Sequence, residues 1–158
     1  MLRIYSSSKE LHIGKLMALY SEDLIHNTPS RNMLKAEQDF YGFIIDFLRE
    51  KQNDYWIWEI DGCYVSALRT EPYRDGILLA GLVTESSLRK RGYAKSLISE
   101  TLQYLGSQGC KKVYSHIHRD NFPSIQTHYA CGFQLLHQHA ALLDGSVNSQ
   151  YYTFSYEL

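Results

Sequence analysis

The sequence predicts a mixed α/β domain in which helices flank a central twisted, mixed β-sheet. Segments with helical spacing of apolar residues alternate with segments rich in β-branched and aromatic residues along the 158 residues. The run from Ile77 to Val83 is continuously apolar, which is typical of a strand buried on both faces. A helical pattern separates this run from a second strand pattern, so the two strands should form a right-handed parallel crossover.

The elements before this unit follow from local patterns. LRIY near the N-terminus predicts a strand, and residues 9–24 carry apolar residues at roughly helical spacing. HNTPSRN, residues 26–32, predicts a loop, and the i, i+3, i+4, i+7 apolar face of residues 33–50 predicts a further helix.

The strands on either side of Asp61-Gly62 predict a tight hairpin, because this dipeptide is typical of two-residue turns. EPYRDG, residues 71–76, predicts a second turn immediately before the apolar run.

The second half of the chain continues the alternation. Apolar residues after Gly92 predict a helix that ends at Gly106 and Gly109. KKVYSHIH, residues 111–118, predicts a strand with Tyr114, His116 and His118 on one face. A helix then follows, with Asn121 as its cap, Pro123 in its first turn and Gly132 at its end. FQLLHQHAALL and QYYTFSYEL predict two closing strands joined by a DGSVNS turn.

Composition narrows the class of protein. A length of 158 residues predicts a single domain, residues 1–158. The formal charge of −1 disfavours a nucleic-acid-binding protein. Three cysteines without CxxC spacing favour a reduced, cytoplasmic protein. We expect neither a signal peptide nor a membrane span.

The stretch SSLRKRGYAKSL, residues 86–97, predicts an anion-binding site. It lies between a predicted strand and a predicted helix, and the first N–H groups of a helix have no partner within it. Gly92 lets an anion approach the backbone without a Cβ in the way. Arg89, Lys90 and Arg91 add positive charge for phosphate groups. A solvated basic helix start is the alternative interpretation of this stretch alone.

The pattern Arg89-x-x-Gly92-x-Ala94 resembles the R/Q-x-x-G-x-G/A signature of the GNAT superfamily of N-acetyltransferases. In that superfamily the signature follows a buried strand and opens a helix. A second landmark of the superfamily is an Asn, a small residue three positions later, and a helix that ends in Gly-Phe. The matching residues here are Asn121, Ser124, Gly132 and Phe133. The order of the predicted elements resembles the superfamily over essentially the whole chain.

The resemblance implies a GNAT-like acyl-CoA N-acyltransferase fold and an enzyme that passes an acetyl group from acetyl-CoA to an amine. It implies that a strand backbone runs beside the pantetheine arm and that helix N–H groups hold the pyrophosphate. An N–H near Val83 would polarise the thioester carbonyl. The implied coenzyme-binding residues are Leu82, Val83, Thr84, Arg89, Lys90, Arg91, Gly92, Tyr93, Ala94, Lys95 and Asn121. No metal is expected.

The implied catalytic residues depart from the superfamily pattern. The apolar run lacks the glutamate that often serves as general base there. The position of the usual tyrosine acid is His128, and Tyr129 follows it, one step of about 100° around a helix. His128 could protonate the leaving thiolate, or it could be a helix histidine that packs on the sheet. His116 or His118 could serve as base, directly or through water. We interpret Glu71 and Glu85 as solvated turn residues.

Other readings stay open. His137 and His139 repeat a His-x-His spacing, but without interleaved Cys or acidic residues a zinc site is the less favoured interpretation. The missing strand acid keeps open a non-catalytic acyl-CoA-binding regulatory module. Aromatic residues of DFYGF, Tyr64, Tyr73 and QYYTF predict an aromatic-lined acceptor pocket. A homodimer built on the last strands is also left open.

Overall fold

A computed structural model describes residues 1–27 and 32–158. A seven-stranded sheet runs through it, with helices on both faces. The elements in chain order are β1 (Leu2–Tyr5), α1 (Ile13–Leu19), α2 (Ser21–Asn27), α3 (Met33–Phe47), β2 (Asp54–Ile60), β3 (Cys63–Tyr73), β4 (Gly76–Thr84), a 3-10 turn (Ser86–Leu88), α4 (Tyr93–Ser107), β5 (Lys112–His118), α5 (Phe122–Ala130), β6 (Gln134–His137), β7 (Ala140–Ala141), β8 (Val147–Asn148) and β9 (Tyr151–Glu157).

The strand order in the sheet is β1-β2-β3-β4-β5-β9-β6. Every neighbouring pair is antiparallel except β4 and β5, which run parallel and are joined through α4. The predicted mixed sheet with one parallel crossover is therefore confirmed. The β4–β5 pairing extends only from Ile77 opposite Val113 to Leu79 opposite Ser115. Beyond Leu79 the two strands are unpaired, so the sheet is open at its centre.

A bulge lies in β4 at the start of this opening. Ala67 and Arg69 of β3 are paired with Val83 and Ala80, so one residue of β3 faces two of β4. Gly81 lies in this bulge with φ +61°, and a Cβ built on it would collide with Nη1 of Arg69. Only glycine fits this conformation and this close approach without strain.

The hydrophobic core lies on both faces of the sheet. On one face, Leu16 of α1 and Ile44 of α3 pack against Tyr55 and Ile57 of β2. On the other face, Leu97 and Ile98 of α4 pack against a layer that includes Trp56, Leu68, Leu79, Val113 and Phe154. The strands at the centre of the core, β2 and β3, thereby have a buried face on each side of the sheet.

The helix predicted over residues 9–24 is two helices. It begins later, at Ile13, because the ring Nδ1 of His12 accepts a hydrogen bond from the Lys15 N–H and caps the helix there. It breaks at Tyr20, whose hydroxyl donates to the carbonyl oxygen of Gly81. The loop predicted over residues 26–32 overlaps the end of α2, and residues 28–31 of that prediction lie outside the described residues.

Two predictions around β4 were also wrong. The EPYRDG segment is not a turn throughout, because Glu71, Pro72 and Tyr73 continue β3 in register with β4. The turn contains only Arg74 and Asp75. The apolar run is not buried on both faces: within it only Leu79 and Val83 are buried, and its other residues are half-buried.

The end of the chain is more divided than predicted. β6 and β9 pair as the predicted closing strands, but residues 140–148 form an additional two-stranded ribbon of β7 and β8. Thr153 and Tyr73 hold this ribbon against the sheet through hydrogen bonds to the carbonyl oxygens of His139 and Ala141. No helix in the described part of the chain has the length and apolar composition that a membrane span requires.

Candidate active site

A cleft of about 810 Å³ lies where β4 separates from β5. One wall is the end of β4, the floor is the turn before α4 and the start of α4, and the other wall is α5. The lining residues are Asp23, Leu82, Val83, Thr84, Leu88, Arg89, Lys90, Gly92, Tyr93, Ala94, Lys95, Asn121, Pro123, Ser124, Gln126, Thr127 and Ala130. Every residue predicted to bind the coenzyme except Arg91 therefore lies along this one cleft.

The N-terminus of α4 gives the cleft its anion-binding character. Gly92 is the N-cap residue in a left-handed conformation, φ +87°, and it supplies no side chain to cap the helix. Lys90 is also left-handed, with φ +61°. Four N–H groups at the start of any helix need partners from outside it, and the aligned peptide dipoles favour an anion there. The 15-residue helix thus directs unpaired N–H groups into an open cleft.

The basic side chains at the cleft have different partners. Nη2 of Arg89 is 2.7 Å from Oε2 of Glu22 on α2, and its Nε donates to the carbonyl oxygen of Thr84. Arg89, Lys90 and Arg91 are therefore not three equivalent cations, because Arg89 forms an ion pair that links α2 to the turn before α4. Lys90 and Lys95 line the cleft, and Arg91 is exposed outside its lining.

Helix α5 contributes a wall that sequence reasoning missed. Pro123, Gln126, Thr127 and Ala130 follow an i, i+3, i+4, i+7 spacing and face the cleft together. Asn121 caps this helix, with its Oδ1 accepting from the Ser124 N–H. A stripe of small and polar residues beginning two positions after the predicted cap was visible in the sequence and could have identified this wall.

His128 lies outside the cleft lining. It is 1% exposed, and its ring contacts Phe133 and Phe154 in the core. Nδ1 is 2.8 Å from the carbonyl oxygen of Ser124, while Nε2 is buried without a hydrogen-bond partner. Burial lowers the His128 pKa, and the bond to Ser124 only partly opposes this. A carbonyl can only accept, so the proton of the neutral ring is on Nδ1 and Nε2 carries a lone pair.

His116 lies at the point where the sheet opens. It follows Ser115, the last residue of β5 paired with β4, and its ring packs edge-on against Tyr73. Its Nε2 is buried without a partner. Its side chain lies outside the cleft lining. Burial, and then the charge of Arg74, lower the His116 pKa, so the ring is neutral near neutral pH.

The remaining candidates lie elsewhere. Tyr129 is 51% exposed and packs edge-on against Phe154, outside the cleft lining. The rings of His137 and His139 stack with centroids 5.5 Å apart. Within residues 1–27 and 32–158, no three His, Cys, Asp or Glu side chains come together in a way that could hold a metal ion. Glu71, interpreted from sequence as a solvated turn residue, is a half-buried residue of β3.

Comparisons with known proteins agree with this geometry. The sequence model of the acetyltransferase (GNAT) family matches residues 15–133. No curated protein matches the chain significantly. The fold is similar to the PaiA N-acetyltransferase of Thermoplasma acidophilum in complex with coenzyme A, with TM-score 0.74 and 11% identity over 100% of this chain and 99% of that one.

Two further solved structures are similar to the chain. The ribosomal-protein-alanine N-acetyltransferase of Brucella melitensis has TM-score 0.72 and 17% identity, covering 100% of this chain and 99% of that one. The ribosomal-protein-S18-alanine N-acetyltransferase of Escherichia coli has TM-score 0.66 and 16% identity, covering 99% and 94%. At these identities the likeness establishes the shared fold.

Proposed function

The chain belongs to the acetyltransferase (GNAT) family, and from that premise we propose that it is an acetyl-CoA-dependent N-acetyltransferase. The acceptor is a primary amine of a small molecule or a peptide, and it attacks directly in a ternary complex. The observation that carries this proposal is the cleft between the unpaired end of β4 and the uncapped N-terminus of α4.

The residues of the cleft fit coenzyme A. The backbone N–H groups of residues 90–95 suit a pyrophosphate, because helix N-termini bind such anions. The backbone of Leu82, Val83 and Thr84 lies along the opening where β5 gives it no partner, so it can hydrogen-bond an extended arm that carries amides. Asn121 lines the opposite side. When bound, acetyl-CoA supplies a thioester carbonyl for an amine to attack.

We assign the proton-accepting role to His116. The acceptor ammonium must lose a proton before its nitrogen can attack, and a neutral imidazole at the opening of the sheet can take it. A backbone N–H near Val83 stabilises the oxyanion that forms on the carbonyl. His128 and Tyr129 remain the candidates for protonating the thiolate. His128 carries a lone pair on Nε2 at rest, so it must first accept a proton before it can give one.

Thermal unfolding with and without acetyl-CoA tests the cleft first. Ligand at about 100 times its Kd stabilises a protein by about 2.7 kcal/mol, which is about 5–11 °C for a domain of this size. Gly92→Glu should remove this shift, since it places a carboxylate where the phosphate binds. Gly145→Glu is the matched control, because Gly145 has φ +86°, open surroundings and a place on the β7–β8 ribbon. No shift at millimolar acetyl-CoA would remove the proposal.

Release of coenzyme A thiol in the presence of amines tests catalysis. Turnover by the wild type and a loss of about 10²-fold or more in His116→Gln support the base assignment, with His137→Gln as an exposed histidine control. Unchanged turnover in His116→Gln would contradict that assignment. Acetyl-CoA binding without turnover for any amine would favour a non-catalytic acyl-CoA-binding module, for which the absence of an acid on β4 is the motivating observation.

A further inference from the structure

Arg69 is a half-buried cation of β3 without a counter-ion. Its Nε is buried and has no hydrogen-bond partner among the residues that the structure describes. The ion pairs formed between residues of the two described ranges do not include it. A half-buried cation without a carboxylate nearby is unusual, and buried polar atoms in native proteins nearly always have partners. The missing partner therefore calls for an explanation.

The surroundings of Arg69 hold its guanidinium in place. The Cζ atom lies 5.0 Å from the ring centroid of Phe43 and 5.7 Å from that of Phe47, so the group stacks on two aromatic rings of α3. Burial raises the pKa of the Tyr55 hydroxyl, and the charge of Arg69 and a hydrogen bond with it oppose that rise. The neighbours of Arg69 are thus a neutral hydroxyl and two aromatic rings, none of which carries a negative charge.

This place adjoins the opening of the sheet. Arg69 is paired with Ala80, the first residue of β4 beyond the β4–β5 pairing, and its Nη1 lies against the Gly81 bulge. Arg69 shares its face of the sheet with Tyr73, whose ring contacts His116. An amine positioned near His116 therefore has Arg69 on the same face, on the other side of β4.

Glu71 adds a complementary charge. It follows Arg69 by two residues, so both side chains lie on the same face of β3. Glu71 is half-buried and, in the part of the chain that the structure describes, it forms no ion pair within 4.0 Å with Arg69 or any other cation. The face thus presents one unpaired cation and one unpaired anion side by side.

We propose that Arg69 binds a carboxylate of the acceptor, so that the acceptor is an amine that also carries a carboxylate, as an amino acid does. The planar guanidinium matches a carboxylate with two parallel hydrogen bonds, and Glu71 faces the ammonium end. The aromatic rings of Phe43 and Phe47 favour an acceptor with an apolar part. This inference rests on the proposed acetyltransferase function and names its substrate class.

The test compares L-amino acids with their carboxamides, which replace the carboxylate by a neutral group of similar shape, at a fixed concentration of the unprotonated amine. Coenzyme A release is measured at saturating acetyl-CoA for the wild type, for Arg69→Gln and for Arg49→Gln. Arg49 is the matched control because it is exposed and pairs only locally with Asp46. We expect wild-type kcat/KM to be at least about 10-fold higher for the reactive carboxylates, and Arg69→Gln to lower it about 100-fold. The carboxamides should stay within about threefold in the same variant, and Arg49→Gln should change neither.

Several outcomes would overturn the assignment. These are equal kcat/KM for both members of each pair in the wild type, an equal fall for both in Arg69→Gln, or acetylation only of amines without a carboxylate. Acetyl-CoA binding with neither turnover nor amino-acid-dependent stabilisation of the coenzyme A complex would overturn it as well. In each case a retained thermal shift with acetyl-CoA leaves the coenzyme site standing, whereas loss of that shift removes the proposed function itself.

Folding of the variant is checked directly. Arg69→Gln removes no ion pair and loses only the stacking on Phe43 and Phe47, so its unfolding temperature should stay within about 2–4 °C of the wild type. Arg69→Lys keeps the charge without the planar fork and should recover only part of the carboxylate preference. A purely structural Arg69 would instead lower the unfolding temperature in both variants and leave the carboxylate preference unchanged.

Discussion

Acidification should destabilise the protein through His128. Its ring is 1% exposed, donates from Nδ1 to the Ser124 carbonyl, and has no partner for Nε2. Burial lowers its pKa below the ordinary value. Below an unfolded-state pKa of about 6.5, the unfolded chain binds a proton that the folded chain resists. Stability is therefore present above pH of about 6.5 and is lost as the pH falls toward the folded-state pKa.

The magnitude follows from linkage. If only the unfolded state binds the proton between pH 7.5 and 5.5, the free energy of unfolding falls by about 1.4 kcal/mol over that interval. For a domain of this size the loss corresponds to about 3–6 °C in unfolding temperature. This is the upper limit for one imidazole, because any protonation of His128 in the folded state reduces it.

Denaturant unfolding at the two pH values, for the wild type and for His128→Phe, measures this effect. Phenylalanine fits beside Phe133 and Phe154 and cannot titrate. All other groups, including His116, titrate in both proteins and cancel in the difference. We expect the wild type to lose about 1.4 kcal/mol more than the variant on acidification. The same loss in both proteins would refute the conclusion that His128 is held neutral by burial.

Three further predictions concern packing, backbone and catalysis. Trp56→Phe removes the Nε1–H that donates to the buried Thr70 hydroxyl, 2.7 Å away, and should lower the free energy of unfolding by roughly 1–3 kcal/mol. Adding Thr70→Val should recover part of that loss. If the effects of the two substitutions are strictly additive, the two side chains are not paired. Gly132→Ala should destabilise the protein by about 1–2 kcal/mol, because Gly132 has φ +92° and the new Cβ would lie 3.0 Å from Tyr156. Gly42→Ala in α3 is the comparison: its Cβ meets nothing within 4 Å, and it should stabilise the protein by up to about 1 kcal/mol. If both changes shift the free energy of unfolding in the same direction, the backbone argument fails. If His116 is the base, its protonation at low pH should decrease kcat/KM, and its lowered pKa places this decrease below pH of about 6.5. If His116→Gln still shows the decrease in its pH profile of kcat/KM, another group causes it.

The parts of the fold that depend on local patterns could be predicted from sequence. The Asp61-Gly62 hairpin, the β4–α4–β5 crossover and the cap at Asn121 each depend on residues close together in the chain, and each is confirmed. Most of the cleft-lining residues could be named from the sequence, because the residues on both sides of Gly92 belong to one strand–turn–helix unit.

The errors arose where distant residues decide the outcome. The helical spacing of apolar residues continues through Tyr20, so the sequence predicts one helix there. The helix breaks at Tyr20, whose hydroxyl bonds to the Gly81 carbonyl, and these two residues come together only in the folded protein. The burial of Ile77–Val83 was overestimated because an apolar run does not reveal how much of each face of the strand other elements cover; only Leu79 and Val83 are buried. Sequence spacing aligned His128 with the superfamily acid and left open a histidine packed on the sheet; only the fold shows that its ring is buried in the core.

The gap between β4 and β5 gives this sheet two internal edges in addition to its outer ones. Sheet edges attract other strands, and proteins normally protect them against aggregation. Here the gap is closed at one end by the pairing of Leu79 with Ser115 and is bounded elsewhere by α4 and α5. A strand from another molecule would have to fit its side chains between β4, β5 and the two helices. An extended ligand with few branches has no such side chains and can enter the gap. The geometry that leaves the β4 backbone available to a ligand therefore also protects this edge from strand pairing with another copy of the protein.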